Sequence, residues 1–298
     1  IQAGKIAKHF GIEHSIIELE NYLEELPKII SITKLPFWDL HWYYVAKIAK
    51  KSSEFLASGD GGDELFGGYT FRYQKYLSLV NSNSNINEKI KSYLKCHERD
   101  RVPDQEKLFG KKSPFSWNKI NEKLVNYFDN SLDPIDQVFL ADYNGKLLYN
   151  FSIVNGSINK EFNLHPITPL LSQEIIQIAP HIPNSLKYDS KSNLGKLPLR
   201  KILDQLNISH LVSDQKLGFS VNTINLWKNY GQKICKFYLS NSRIVKEGWI
   251  NDDWINTYID KKNLDVKYVN KFLGILALEI WYRIFISKEI SPDEKLSV

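Results

Sequence analysis

Methionine is absent from all 298 residues, and cysteine appears only twice, at Cys96 and Cys235. The two cysteines have neither metal-ligand spacing nor enough partners for a disulfide framework, which excludes a zinc scaffold and fits a reducing, cytoplasmic setting. Long apolar runs are lacking too. The longest, Phe272 to Ile286, is interrupted by Glu279 and Arg283, so no membrane association is expected. Nor is there a basic stripe: 39 Lys and Arg against 34 Asp and Glu give a net charge of +5 spread along the chain. That mild excess suits solubility and attraction for a polyphosphate, and gives no nucleic-acid platform. No signal peptide is visible. With Ile at position 1 and no Met, the sequence reads as an incomplete or processed chain. A content of 43% hydrophobic and 24% charged residues is that of a folded globular protein, long enough for one sizeable core or two modest ones.

One stretch is far denser in constraints than the rest. Residues 55–69 read FLASGDGGDELFGGY. Phe55, Leu56 and Ala57 have the character of a buried strand end, and Ser58-Gly59 breaks it. Glycines at 59, 61, 62, 67 and 68 then surround the acids Asp60, Asp63 and Glu64. Without a Cβ, glycine lets backbone N–H groups approach a phosphate or ribose, and neighbouring carboxylates supply oxygen ligands suited to Mg²⁺. A strand end, an anion-accepting turn and metal-ready acids together point to nucleotide chemistry.

The order of elements gives this stretch a setting. Ala3 to Phe10 has helical apolar spacing and stops at Gly11, and His14 to Leu19 is expected to form a strand. Glu20 to Leu26 is expected to be a short helical segment with Tyr22, Leu23 and Leu26 inward, followed by a helix with Pro27 in its first turn. Trp42 to Lys51 is a further helix, feeding the strand at Phe55. This alternation predicts an α/β fold, a parallel twisted sheet with flanking helices in the first part, and a mainly helical second part with helices at Ile86 to Cys96 and Asn118 to Phe128. In such sheets ligands sit beyond the C-terminal strand ends, where Ser58 to Tyr69 falls.

The twelve residues SGDGGDELFGGY, Ser58 to Tyr69, resemble the SGxGxDExFGGY signature of the glutamine-dependent asparagine synthetases, that is, the synthetase domain of the N-type ATP pyrophosphatases. The likeness extends to the A-x-x-I-A-K-H-F-G-I-E-H stretch from Ala3 and to the turn Leu35-Pro36-Phe37-Trp38-Asp39. It continues through Lys196-Leu-Pro-Leu-Arg200, which matches a K-x-x-L-R segment, and Asp214-Gln-Lys-Leu-Gly-Phe-Ser220. It ends at Leu278-Glu-Ile-Trp281, which matches a terminal L-E-x-W helix. The resemblance implies an adenine-nucleotide alpha hydrolase-like fold, with residues 1–298 forming a single synthetase domain. It also implies ATP and Mg²⁺ as cofactors, and aspartate or a related carboxylate activated as its acyl-adenylate and passed to ammonia. In that reading Ser58 and Gly59 lie near adenosine, Asp63 holds Mg²⁺ with Glu64 in support, Asp60 orders or deprotonates the incoming nitrogen, and Lys196 stabilises the charge on the phosphates. Two parts of the family's machinery are not found in these residues: the upstream SGGxDS pyrophosphate loop and the glutaminase domain that releases ammonia from glutamine. The resemblance leaves room for a homodimer.

The match degrades between Asp142 and Ser172. Asp142, Ser157 and Pro169-Leu170-Leu171 align, but Asn155 stands where the family has Asp, and His165-Pro166-Ile167-Thr168 replaces its Glu and Arg. This keeps open another carboxylate acceptor on a glycan or peptide, as in an amidotransferase or cyclase on the same scaffold; Asp60 argues against β-lactam closure, where a tyrosine occupies the loop. A non-catalytic remnant that binds nucleotide is the rival from outside enzymology. The seven histidines have no ligand spacing, and no Ser/His/Asp set has supporting motifs.

Overall fold

The computed structural model describes residues 2–39, 41–81, 83–213 and 221–297. Helices α1 (Gln2–Phe10), α2 (Leu26–Thr33) and α3 (His41–Ala49) precede strand β1 (Phe55–Ala57). Gly11 closes α1 at φ +62°, a left-handed turn that glycine takes at low cost. Pro27 sits in the first turn of α2, where its missing N–H would have had no intrahelical partner. Tyr22 and Leu23 are buried as expected, but in turns and not in a helix.

The expected strand at His14–Leu19 does not form. Residues 12–19 follow an irregular path with no strand partner among the described residues, and Ile12, Ile16, Ile17 and Leu19 are exposed, Ile16 by 76%. A strand is stabilised by its ladder, and an apolar sequence without a neighbouring strand has no reason to stay extended and paired. The parallel partner of β1 comes instead from β2 (His165–Ile167), with Phe55 opposite His165 and Ala57 opposite Ile167. Across this pair His165 N–H donates to the Glu54 carbonyl (2.7 Å) and Ser58 N–H to that of Ile167 (3.0 Å). Pro166, which lacks an N–H, lies between them opposite Leu56, a place compatible with an edge strand. The parallel sheet is thus two strands wide among the described residues, smaller than expected and built from distant parts of the chain.

After β1 come α4 (Gly62–Phe66), α5 (Thr70–Leu79), α6 (Ile86–Lys95), α7 (Trp117–Phe128) and α8 (Pro134–Asp142). A π-helical stretch, Tyr143–Phe151, leads into α9 (Ser152–Glu161). Helix α6 starts at Ile86 because Asn85 and Glu88 form a reciprocal capping box. Beyond β2, a short antiparallel hairpin of β3 (Tyr188–Asp189) and β4 (Leu194–Gly195) delivers α10 (Leu197–Gln205). The last helix, α11 (Val266–Phe285), buries Phe272, Leu273, Leu276 and Ile280 against α2 and its neighbours. Each such apolar side chain contributes about 1.5–3 kcal/mol on burial. Glu279 interrupts this helix for a structural reason. It is fully buried and accepts from Ser242 Oγ (2.7 Å), Arg243 N (2.9 Å) and Ile244 N (3.1 Å), while pairing with Arg283 at 2.6 Å. No helix among the described residues is long and apolar enough to cross a membrane.

Three apolar clusters meet at the stretch after β1. Leu56 packs on the largest, which contains α2 and α11; Leu65 and Phe66 form a small one with Ala179, Leu170 and Leu171; and Tyr69 belongs to a third with Tyr73, Tyr93, Phe128 and Phe139. The glycine-rich turn is therefore fixed from three sides by its own apolar residues. Trp227 is buried against Phe272, ring centroids 5.2 Å apart, a core role as its sequence suggested.

Candidate active site

Glycine is required at several positions in residues 58–69, among them Gly67 with φ +73°. Gly61 has φ +86°, and a Cβ there would lie 2.4 Å from Leu171 Cδ2. At Gly68 the obstacle is polar: a Cβ would lie 1.9 Å from Asp63 Oδ1 and 2.6 Å from Lys196 Cε. These two side chains form an ion pair, Lys196 Nζ to Asp63 Oδ1 at 2.7 Å. The β3–β4 hairpin brings Lys196 there. Its backbone N–H donates to Phe66 O (2.9 Å), and its φ of +59° is left-handed, uncommon for a side-chain-bearing residue and often associated with function. Arg200 Nε donates to Gly195 O (3.0 Å), bracing the same turn.

A cavity of about 690 Å³ opens above the turn, and Ser58, Gly59, Asp60, Asp63 and Glu64 all line it. Lys196 is tied to this wall through Asp63. The six residues that the sequence singled out are thereby brought together. Their surroundings differ. Asp60 accepts a hydrogen bond from Asn155 Nδ2 at 3.1 Å. Ser58 Oγ is buried and has no hydrogen-bond partner among the described residues. Glu64 is buried, and the Tyr69 hydroxyl donates to its Oε1. Burial pushes the Glu64 carboxyl above its ordinary range, a shift that the Tyr69 hydrogen bond partly offsets. Burial likewise drives the Tyr69 hydroxyl far up, reinforced by the Glu64 charge.

The structure adds residues that the sequence reading passed over: His41, Trp42, Phe71, Arg72, Arg99 and Lys146 share the cavity wall with Asp39 and Asn155. Asp39 accepts from the Tyr22 hydroxyl (2.9 Å) and faces His41 Nδ1 (2.9 Å). Burial would raise its carboxyl, but the His41 hydrogen bond and charge, with the Tyr22 hydrogen bond, hold it below the usual range. Arg72 had a signal, since it stands three residues after Tyr69 on the first turn of α5 and so on the same helical side. Lys146 had none, because π-helical winding breaks the 3.6-residue period. Behind this wall lies Asp142, fully buried, accepting from the Tyr93 hydroxyl at 2.9 Å, with His97 Nε2 4.0 Å away. Burial pushes the Asp142 carboxyl up. Burial and the Arg72 and Lys146 charges push His97 down to about 2.

For Mg²⁺ the donor set is limited. No group of three or more His, Cys, Asp or Glu side chains among the described residues could form a metal cage. Mg²⁺ commonly takes one or two carboxylates together with substrate phosphates and water. Asp63, with Asp60 on the same turn, fits that mode. The Asp214–Ser220 segment expected to follow Lys196 lies outside the described residues.

The sequence matches the family model described as asparagine synthase over residues 1–283. It is similar to the Bacillus subtilis (strain 168) protein named asparagine synthetase (glutamine-hydrolyzing) 1, with 27% identity over 98% of this chain and 51% of that protein. It is also similar to a Mycobacterium tuberculosis (strain ATCC 25618 / H37Rv) protein that bears the glutamine-hydrolyzing asparagine synthetase name provisionally, with 21% identity over 96% of this chain and 49% of that one. The chain spans about half the length of these curated relatives.

Proposed function

The chain belongs to the asparagine synthase family, and on that footing we propose that its cavity carries out ATP-dependent amide formation. The observation that carries this reading is the 2.7 Å Asp63–Lys196 pair, which joins the glycine-rich turn to the K-x-x-L-R segment at the cavity wall. ATP lies over the end of β1 with its adenosine against Ser58 and Gly59. The acceptor carboxylate oxygen attacks the α-phosphorus, the bond to the bridging oxygen breaks, and pyrophosphate leaves. Ammonia then attacks the acyl carbon of the adenylate, and AMP departs with the former carboxylate oxygen. Asp60, oriented by Asn155, accepts a proton from that nitrogen. Lys196, held in register by Asp63, neutralises charge growing on the phosphates. Mg²⁺ bound through Asp63 would supply further charge neutralisation there. Glu64, buried and bonded to Tyr69, acts by fixing the turn. Glutamine is the expected source of ammonia, through a glutaminase unit.

The acceptor is aspartate or a related carboxylate. A different carboxylate, on a peptide or glycan, is favoured by one observation: the sites that depart from the family pattern, Asn155 and His165–Ile167, lie beside Asp60 and β1. The test is ATP-dependent pyrophosphate release by the protein with L-aspartate, other carboxylates, and ammonia or glutamine. Lys196→Ala and Asp63→Asn are each expected to lower that rate by about 10²–10³ without unfolding the protein, the scale for losing one preorganised electrostatic partner. Unchanged turnover in both variants would remove the assignment. No pyrophosphate release with any acceptor would favour a nucleotide-binding remnant.

A further inference from the structure

The cavity wall carries a histidine that the proposed chemistry leaves unused. His41, the first residue of α3, is half-buried and borders the cavity together with Asp39. Its Nδ1 lies 2.9 Å from Asp39 Oδ1, which also accepts from the Tyr22 hydroxyl at 2.9 Å. Tyr22 is itself held by its main chain: its N–H donates to the Tyr230 hydroxyl (2.8 Å), and its carbonyl accepts from the Tyr44 hydroxyl (3.0 Å). A carboxylate that accepts from Nδ1–H leaves the neutral imidazole with its lone pair on Nε2, makes that nitrogen more basic and holds the ring in one orientation. Asp39 stays ionised for this task, since His41 and Tyr22 keep its carboxyl below the usual range. The next residue ties this helix start to the neighbourhood of Asp60. Trp42 Nε1 donates to Asn159 Oδ1 (3.0 Å), and Asn155, four residues earlier on α9, donates to Asp60 (3.1 Å). Residues four apart share one side of a helix, so the start of α3 and the Asp60 turn are anchored at neighbouring points of α9. The two α9 side chains in these bonds are amides. The charged groups on the cavity wall besides Asp39 are Asp60, Asp63, Glu64, Arg72, Arg99 and Lys146.

We infer that His41, oriented by Asp39, is a second base in this cavity, the group that converts ammonium into the ammonia that attacks the acyl-adenylate. The step rests on the amide-forming reading, whereas the Asp39–His41 dyad is measurable without turnover. Amide formation from ammonium releases two protons, and Asp60 takes only one of them. The His41 Nε2 lone pair takes the first, leaving ammonia with the electron pair it needs as a nucleophile. That pair forms the bond to the acyl carbon, the carbon–oxygen bond to the phosphate breaks, and AMP leaves with its electrons. The second proton passes from the newly bonded nitrogen to Asp60. An imidazole ordinarily titrates near neutrality, so it suits both taking a proton at working pH and returning it to solvent after each turnover.

Amide formation is measured in the unaltered protein and in His41→Gln with ATP, ammonium chloride and L-aspartate, or whichever carboxylate supports pyrophosphate release, from about pH 7 to about pH 9. The series is repeated with hydroxylamine, a nitrogen nucleophile that is largely unprotonated near neutral pH. His41→Gln is expected to lower the ammonium-dependent rate near neutral pH by about 10²–10⁴-fold, the range for loss of a general base. The rate should recover toward that of the unaltered protein as pH rises, or when hydroxylamine replaces ammonium. ATP–pyrophosphate exchange, which reports adenylation alone, should fall far less. Equal losses in all three assays at every pH would mean a structural role and overturn the inference, as would undiminished ammonium turnover in a variant that circular dichroism shows to be folded. Nitrogen-15 NMR of the histidine-labelled protein needs neither turnover nor a folded His41→Gln. It should show His41 as the Nδ1–H tautomer, titrating at lower pH in Asp39→Asn, where the neighbouring negative charge is gone. An Nε2–H tautomer, or a titration indifferent to Asp39→Asn, would refute the dyad and with it the inference. No pyrophosphate release with any acceptor would refute the amide-forming reading and the step assigned to His41 while leaving the Nδ1–H dyad in place, so the two failures are told apart.

Discussion

Gly68→Ala separates the stability of the glycine turn from its chemistry. The new methyl would sit 1.9 Å from Asp63 Oδ1 and 2.6 Å from Lys196 Cε, so the two side chains must swing away by more than an ångström. The backbone adds no strain of its own, because Gly68 does not occupy the positive-φ region. The disturbed atoms are side-chain ends, and the pair they form is only partly buried, with side-chain exposures of 18% for Asp63 and 36% for Lys196. Such a pair contributes about 0–1 kcal/mol after solvent screening, so unfolding free energy is expected to fall by about 1 kcal/mol or less. Turnover should suffer much more, since misplacing a charged group by about 1 Å costs on the order of 10²-fold in rate. Gly274→Ala, on α11 away from the cavity, is the control, with no atom within 4 Å of the added methyl. Urea unfolding gives the first quantity and pyrophosphate release the second. Wild-type turnover in a folded Gly68→Ala protein would refute the claim that the Asp63–Lys196 contact is the working part of the turn, and a loss of several kcal/mol in stability would refute the claim that the contact is mainly functional.

Two further substitutions probe the same wall. Glu64 has a folded-state carboxyl raised above its ordinary 4.5 by burial, so the folded protein binds more protons there than the unfolded chain, and stability falls as pH rises from about 4.5 through the raised value. Glu64→Gln keeps an acceptor for the Tyr69 hydroxyl without the charge; its stability relative to wild type should therefore increase with pH over that window in urea unfolding, and a pH-independent difference would contradict the burial argument. Asn155→Asp places a second carboxylate where an amide now donates to Asp60 at 3.1 Å. Two like charges at that separation force one to hold a proton, so this variant should lose about 1–2 kcal/mol between pH 4 and pH 7 relative to Asn155→Ala, and parallel pH profiles of the two variants would dismiss the contact.

The turn was legible in the sequence because its constraints are local: glycines and acids at fixed offsets determine where a backbone can bend and what can approach it. Strand β1 was legible for the same reason, but it is not the buried strand expected from its apolar residues: Phe55 and Ala57 are exposed and Leu56 is half-buried, because only one strand pairs with it among the described residues. Its partner was not legible. His165-Pro166-Ile167 has no strand pattern and contains a proline, and only the pairing with Phe55–Ala57 makes it extended. Conversely, His14–Leu19 has the apolar content of a strand but no strand neighbour among the described residues, and its isoleucines are exposed. Lys146 was invisible for a third reason, and Arg72 showed only its spacing from Tyr69. A charged side chain reads as surface unless something shows which cavity it borders, and Tyr69 does so only once α5 and the π-helical stretch are folded around it.

The same geometry explains how departures from the family pattern can gather at one place without disturbing the rest. β2 is joined to β1 by main-chain hydrogen bonds, from His165 N–H to Glu54 O and from Ser58 N–H to Ile167 O, and such bonds are indifferent to the side chains that replace a Glu or an Arg. Asn155 reaches Asp60 by a side-chain contact of its own. Lys196 approaches from the opposite part of the sequence, on a hairpin whose N–H is fixed to Phe66 O. The wall that varies and the ion pair proposed to handle phosphate charge are therefore supported by different elements. Under the amide-forming reading, the acceptor can change by substitution along α9 and β2 while the Asp63–Lys196 pair keeps its geometry.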